Sequence, residues 1–430
     1  MKHDKYKLSQ YNVIHNKGGL QYIWNTYSDA LVELDKDGQS YLRNFIGIDD
    51  GSTEFDLLKK NGFVVGEQIN EFIRVCMNEK YDLYSMDTST IGFVIAPGMG
   101  CNYNCVYCFQ STVDKSGVMT KEVADDVATF ICNCLEGNRN VKNIDVMWFG
   151  GEPLLYVDII ESISRIVIKY TNTHEINYRA SITTNGLLLD KRTLELLLEL
   201  SINSAQITVD GLRDSYCISK GAVPEDFECV IENIRNAAEK VDLTVRINIP
   251  DNDVYEAINI TEYLLTQCSL LNKINIHFAY VCDYTAQRNV SKQSYLHYVD
   301  NYLLYLKYIV DNYRTVCSRL SKPKRRSTSC GLVRVSNICI GSRGELYKCE
   351  HRFGDSSFIM GDIWNGHYYN NAELAYCFTV DLDEKCTQCQ YTPICMGGCA
   401  DDRVSGFTRY DCEAYKRIQL ELKLIEGGKY

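Results

Sequence analysis

The chain has 430 residues, 45% of them hydrophobic, and a formal net charge of −11 from 45 Lys and Arg against 56 Asp and Glu. At about 150 residues per domain this is room for roughly three domains with sizeable cores, which excludes a disordered chain, and the acidic balance disfavours nucleic acid because phosphates would be repelled. No run approaches the roughly 18 apolar residues of a membrane span, and Met1-Lys2-His3-Asp4-Lys5 leads into polar sequence, so a cytoplasmic protein with no membrane partner is expected.

Residues 1–88 alternate short apolar runs with turns. Val13-Ile14 and Tyr22-Ile23-Trp24 flank Lys17-Gly18-Gly19 as a hairpin, and helices are expected over 28–34, 40–46, 54–60 and 65–79. This is a small winged-helix-like α+β domain. Over 89–290 the pattern becomes strand then helix, repeated, with strands at 91–96, 144–149, 180–184, 205–210, 243–249 and 274–281, and Asp190 as a helix N-cap. Six strands with crossover helices predict an α/β fold, a parallel sheet curled into a partial (β/α)6 barrel of the TIM kind, with ligands at the C-terminal strand ends. A helical bridge near 294–319 leads, within 291–329, to Ser321-Lys322-Pro323-Lys324-Arg325-Arg326, which reads as a solvated basic linker. From 330 to 430 short strands, glycines and cysteines dominate, and Gly341-Ser342-Arg343-Gly344 is the turn of a second hairpin.

Twenty cysteines without an export signal point to metal or iron–sulfur ligation rather than to disulfides. Cys76, Cys132, Cys134, Cys217, Cys229, Cys268 and Cys282 stand at intervals suited to ordinary core residues. Cys101, Cys105 and Cys108 share one loop past the first barrel strand. Three thiolates there would hold three irons of a four-iron four-sulfur (4Fe-4S) cube and leave one iron open, whereas structural zinc wants a fourth ligand that the loop does not supply. A second array runs Cys330, thirteen residues to Gly344, four more to Cys349, then Cys386-X2-Cys389-X5-Cys395-X3-Cys399 and finally Cys412. Cys386 and Cys389 alone would also suit a zinc ribbon.

The CX3CX2C loop, with Tyr107 before its last cysteine, resembles the cluster loop of radical S-adenosylmethionine (SAM) enzymes. Gly150-Gly151-Glu152-Pro153 at the end of the second strand resembles the motif that meets the SAM amino group. Thr184-Asn185 after the third strand and Arg246 on the fifth resemble positions near its carboxylate and ribose, and Asn248 to Pro250 are expected at the adenine wall. Physically, glycines admit close backbone approach, and Glu152 offers a negative partner for an ammonium group. The second array is similar to the SPASM domain, the C-terminal module carrying two auxiliary clusters. That resemblance implies three 4Fe-4S clusters: Cys101, Cys105 and Cys108 with SAM; Cys386, Cys389, Cys395 and Cys412 closing an outer one; Cys330, Cys349 and Cys399 holding an inner one. The further cysteine that some relatives carry upstream is missing near 323–326, so the inner cluster is left open or completed by Cys317 or Cys339.

Residues 1–88 resemble, in pattern only, the leader-peptide recognition domains of enzymes that modify ribosomally made peptides, where an extended peptide adds to a sheet edge. The alternative is a scaffold that covers the barrel. The combined resemblance implies a peptide maturase, with an electron donor such as flavodoxin or ferredoxin, that abstracts a hydrogen atom from a precursor peptide and forms a cysteine thioether at the open inner cluster. Carbon–carbon crosslinking and formylglycine formation on sulfatases are the competing activities. Glu350, beside Cys349, occupies the place of the base in the sulfatase-activating relatives, although it could simply pair with Lys348 or Arg352.

Overall fold

The computed structural model describes residues 5–85, 88–249, 254–280, 292–319, 322–377, 382–405 and 411–428. The N-terminal unit begins with β1 (Tyr6–Leu8), then β2 (Asn12–Lys17) and β3 (Leu20–Asn25), which form the expected hairpin. Where a helix is expected over 28–34, Leu31–Leu34 is instead a strand, β4, pairing Trp24 with Leu31 and Gln21 with Leu34. The Leu31 and Leu34 spacing suits a helix turn, but Asp29 reverses the chain with a φ of 66°, and four residues gain more from pairing with β3 than from an isolated turn. Helix α1 (Lys36–Arg43) starts four residues before the expected position because the Asp35 side chain caps Gly38 N. Helix α2 (Thr53–Lys60) lies where expected, capped by Ser52. The stretch expected as one helix from Val65 is split: β5 (Val64–Gly66) pairs with β1, and α3 (Glu71–Tyr84) starts only where Asn70 caps Ile73 N.

The two faces of the β2–β3–β4 sheet have different partners. Ile23, Leu34, Leu42 and Phe63 form the domain's own core. Val13, Trp24 and Leu31 on the opposite face pack on Tyr391 and Ile394 of the C-terminal cysteine-rich segment. Gln390 seals the junction by donating to Asn12 O at 2.5 Å, and Lys423 reaches Asp29 at 2.7 Å. The N-terminal domain therefore docks on the cysteine-rich module through a continuous apolar contact.

All six expected barrel strands form: β6 (Thr90–Ile95), β7 (Asn143–Trp148), β8 (Asn177–Thr184), β9 (Ile202–Thr208), β10 (Asp242–Ile249) and β11 (Ile274–Tyr280), parallel and in sequential order. Val281 lies outside the described residues. Among the crossovers are α4 (Lys121–Glu136), α5 (Val157–Thr173), α6 (Lys191–Glu199), α7 (Arg213–Lys220), α8 (Pro224–Ala238) and α9 (Val254–Glu262). Their apolar stripes bury Ile131, Ile160, Ile163, Leu194 and Ile234 against the sheet. Asp190 caps α6 by accepting from Thr193 N, as its sequence position implies.

The sheet does not stop at β6. From the cysteine-rich segment, β12 (Asn337–Ile340) pairs in parallel with β6, and β13 (Glu345–Tyr347), β14 (Gly361–Asp362) and β15 (Gly366–His367) extend it antiparallel to ten strands. Helix α10 (Lys292–Asn312) bridges the barrel to the helix Cys412–Glu426. The basic linker does not run wholly through solvent, because the Arg325 guanidinium sits 4.8 Å from the Tyr27 ring centre.

Candidate active site

The loop after β6 carries Cys101, Cys105 and Cys108 and is held on both sides. Asn104 N and Val106 N donate to Lys220 O and Ser219 O at the end of α7, while Gly100 N donates to the Tyr156 hydroxyl. The Gly150-Gly151-Glu152-Pro153 turn after β7 lies directly against this loop: Glu152 N bonds Gly100 O at 2.8 Å and Gly151 N bonds Gly98 O at 3.3 Å. A Cβ on Gly151 would collide with the backbone oxygens of Met99 and Gly100, and Gly150 has a φ of 128°. Those two glycines let the backbones touch, which fixes the cysteine loop over the strand ends.

Glu152 is fully buried, and its carboxylate is engaged by protein. It accepts from Leu154 N at 3.0 Å, Thr184 Oγ1 at 2.7 Å and Asn185 N at 2.8 Å. Burial pushes its pKa up, opposed by these three donors. The carboxylate thus ties the β7 turn to the β8 turn. Asn185 in turn donates from Nδ2 to Asn102 Oδ1 at 2.7 Å, joining the β8 turn to the cysteine loop.

On the far side of the loop stands a buried group whose Lys220 and whose joint arrangement the sequence reading missed. Tyr107, Asp210 and Lys220 meet there: Lys220 Nζ lies 2.9 Å from Asp210 and 2.5 Å from the Tyr107 hydroxyl, and that hydroxyl donates to Asp210. Asn248 closes the group, its N bonding Asp210 at 3.2 Å and its Nδ2 facing the Tyr107 hydroxyl. Burial, then the Asp210 charge, hold the Tyr107 phenol well above the ordinary tyrosine range. Asp210 is visible in the sequence as the residue closing the fourth strand, but Lys220 ends a helix and carries no motif. Arg246 donates to Asn248 at 2.7 Å and stands beside His277 in the β10–β11 register, where burial and Arg246 push the imidazole down to about 4. Pro250 lies outside the described residues.

The donor set suits a multi-iron group. Burial drives the Cys105 thiol up to about 11, with Lys220 pulling it back, so a bound cation is what would favour its thiolate. Among the described residues no three His, Cys, Asp or Glu converge on one point as ligands of a single ion do. Thiolates of a cube each take a different iron and need no such convergence.

Residues 95–261 match the radical SAM superfamily. This chain carries a radical SAM domain. Its relatives include the radical SAM cyclopropyl synthase TigE of Paramaledivibacter caminithermalis, 22% identical over 404 residues that cover 86% of this chain and 82% of that one. A cysteine-type anaerobic sulfatase-maturating enzyme of Clostridium perfringens is 22% identical over 367 residues, covering 74% of this chain and 92% of the relative. Among solved structures, anSMEcpe with bound AdoMet superposes with a TM-score of 0.60 at 17% identity, over 78% of this chain and 98% of that one. Streptococcus suis SuiB bound to precursor peptide SuiA gives 0.52 at 15% identity, over 92% and 95%. These likenesses show the radical SAM fold.

The radical SAM loop and the second cysteine array are in contact. His351 packs on Phe109, next to Cys108, with ring centres 4.6 Å apart, and Phe109 stacks on Phe149 beside the glycine turn. Arg343 in the β12–β13 turn pairs with Asp114 at 2.8 Å. Cys330 and Cys349 pack on one apolar cluster with Leu83 and Tyr376. Cys339, fully buried, faces Tyr347 across the hairpin, and its thiol acts electrostatically on Cys349, two residues beyond Tyr347. Burial first, then the Glu350 charge, raise the Cys339 and Cys349 thiols far above normal. Glu350 thus sits among these cysteines rather than on a solvated turn. Arg352, one expected partner, is committed to buried Asp401 at 2.6 Å, and Lys348 donates to the carbonyls of Arg334 and Asn337. Burial first, then the charges of Cys395, Asp383, Cys389 and Cys412, raise the Cys386 thiol to about 11. The Cys317 side chain lies outside the described residues.

Proposed function

We propose that this chain is a radical SAM peptide maturase that acts on a leader-bearing, ribosomally made precursor and forms a cysteine thioether. The observation that carries the reading is the N-terminal β2–β3–β4 sheet. One face is docked on the cysteine-rich module, and β4 forms an edge with which no further strand pairs among the described residues. An extended leader adding to β4 would be held beside the second cysteine array. SuiB, solved with its precursor peptide and alignable over nearly the whole chain, supports the reading.

In this proposal Cys101, Cys105 and Cys108 hold the SAM-binding cluster. Cys330, Cys349 and Cys399 hold the inner auxiliary cluster, and Cys386, Cys389, Cys395 and Cys412 hold the outer one. Gly150, Gly151, Pro153, Thr184, Asn185 and Arg246 line the SAM site, with Glu152 and Tyr107 fixing its walls. When bound, the clusters supply electron transfer: one electron to cleave SAM into methionine and a 5′-deoxyadenosyl radical, and a sink for the electron left after crosslinking. The barrel residues orient SAM and keep water from the radical's path. Glu350 takes the proton of the substrate thiol. A flavodoxin or ferredoxin supplies the electron.

Anaerobic reconstitution with SAM, a reductant and a short cysteine-containing peptide encoded by a neighbouring reading frame tests this. The product should lose two hydrogens and resist thiol alkylation. A second reading, carbon–carbon bond formation, is favoured by the breadth of the match to the cyclopropyl synthase. It predicts the same mass loss with the cysteines still alkylatable. An aldehyde captured by hydrazine would indicate formylglycine instead.

A further inference from the structure

A cavity of about 630 Å3 lies between the N-terminal domain and the basic linker, lined by no barrel residue. Five cations border it: Lys59 and Lys60 from the end of α2, Arg74 from α3, and Lys324 and Arg325 from the linker. The two carboxylates at its wall are already engaged. Asp29 pairs with Lys423 at 2.7 Å, and Glu71 accepts from the Ser9 hydroxyl at 2.6 Å and from Gln10 N at 2.9 Å. Lys60, Arg74, Lys324 and Arg325 have no carboxylate partner among the described residues. In a chain of net charge −11, such a concentration of uncompensated positive charge is not a consequence of composition.

The cations are also arranged. The guanidiniums of Arg74 and Arg325, brought together from α3 and from the basic linker, both lie against the Tyr27 ring, 4.0 and 4.8 Å from its centre. Arg74 Nε is buried and has no hydrogen-bond partner, an arrangement that is costly unless a ligand acceptor completes it. Tyr6, Tyr27, Val64, Val65 and Ile69 supply apolar wall between the charges. Such alternation suits a peptide with carboxylates among apolar side chains better than an inorganic anion, for which apolar wall contributes nothing. Ser28 and Asp29, which also line the cleft, form the turn leading into β4, the edge proposed for leader addition.

We propose that this cleft binds an acidic segment of the substrate's leader peptide, whose carboxylates pair with Arg74 and Arg325 over Tyr27 and with Lys60 at the rim. The inference rests on the leader-binding reading above and adds to it the chemistry of the partner and a second contact beyond the sheet edge. It also gives the basic linker a role: the segment joining the barrel to the cysteine-rich module completes the cleft.

The test uses the full-length reconstituted enzyme, fluorescence anisotropy and two labelled synthetic peptides, one with Glu and Leu recurring among Ser and Gly, the other with Gln for every Glu. The acidic peptide should bind about tenfold or more tightly than its Gln counterpart, with affinity falling as salt is raised. Arg325→Glu and Lys60→Glu, both at exposed positions, should each weaken it about tenfold. Lys273→Gln, a remote exposed control, should not. Equal affinity for the two peptides, or no effect of either reversal, overturns the proposal. So does displacement by inorganic phosphate or a short oligonucleotide at lower charge concentration than unlabelled acidic peptide, which would mark a phosphate site. Binding of the natural precursor separates the two levels. If the precursor binds and neither reversal weakens it, the cleft assignment falls and the leader reading stands; if the precursor does not bind at all, the leader reading falls with it.

Discussion

Glu152→Gln removes one charge and adds one proton pair at a site where every neighbour is a donor. In the native turn, Leu154 N and Thr184 Oγ1 point at Oε1, and Asn185 N points at Oε2. Whichever way the new amide is turned, its NH2 faces a backbone N–H: Asn185 in one orientation, Leu154 in the other. The Thr184 hydroxyl can rotate to accept, but a backbone N–H cannot. One buried donor is therefore orphaned at a cost of about 1–3 kcal/mol, and the remaining bonds lose their charge assistance. Because the carboxylate ties the glycine turn to the β8 turn, the loss falls on the relative placement of the two motifs proposed to hold SAM. SAM affinity, measured by equilibrium dialysis on the reconstituted protein, should weaken roughly tenfold to hundredfold. Iron content and the far-ultraviolet circular dichroism spectrum should stay near wild type. A variant with unchanged SAM affinity would refute the positioning role and the geometry drawn from it.

Replacing Cys101, Cys105 and Cys108 together by Ala should abolish SAM cleavage and leave about two clusters' worth of iron by colorimetric assay; unchanged iron would sink the ligand assignment. Lys220→Met strands buried Asp210, at about 3–5 kcal/mol, and should shift the thermal transition down, whereas adding Asp210→Asn should recover much of the loss. Cys339→Ala should leave the iron content and the electron paramagnetic resonance of the auxiliary clusters unchanged if the inner cluster is open, as the thioether reading requires; loss of one auxiliary signal would make Cys339 its fourth ligand and favour carbon–carbon chemistry. Glu350→Gln should slow product formation while 5′-deoxyadenosine continues to form, since hydrogen abstraction needs no base, and unchanged coupling of the two would remove Glu350 from the mechanism.

The barrel was legible because its strands are short runs rich in β-branched and apolar residues, and β7, β8 and β9 are followed closely by a glycine, Asn or Asp. Phe149-Gly150-Gly151 and Thr184-Asn185-Gly186 mark those ends without any tertiary information. What periodicity could not supply was anything decided across the chain. Leu31–Leu34 is a strand because β3 is there to pair with it. That Glu152 also joins two turns depends on the position of Thr184 and Asn185, more than thirty residues away. Lys220 carries no motif at all. It ends α7, and its charge matters because the fold buries it against Asp210. The Asp-Gly after β9 was a usable signal for the acid, since a buried acid at a strand end wants a cation, but nothing local says which one.

The continuation of the barrel sheet into the cysteine-rich segment bears on how the two proposed cluster regions can cooperate. A linker-joined module would hold Glu350 at a distance from the radical loop that varies with every fluctuation of the connection. Here β12 is hydrogen-bonded from Asn337 to Ile340 to β6, the strand that delivers Cys101 six residues beyond its end. The hairpin is braced again by Arg343 on Asp114, by the close approach of Ser342 to Gly117 and of Gly354 to Val113, and by His351 on Phe109. The exposed Arg343–Asp114 pair contributes little by itself, at most about 1 kcal/mol. Main-chain pairing and the glycine contacts do the fixing, because a packed backbone has few alternative positions. The separation between the cysteine loop and Glu350 is therefore a property of one sheet. Under the proposed function, a radical formed on the peptide at the barrel mouth would meet the same residues of the β12–β13 hairpin in every turnover, so a leader would need only to deliver the right peptide residue, and substrate choice would reside in the N-terminal domain.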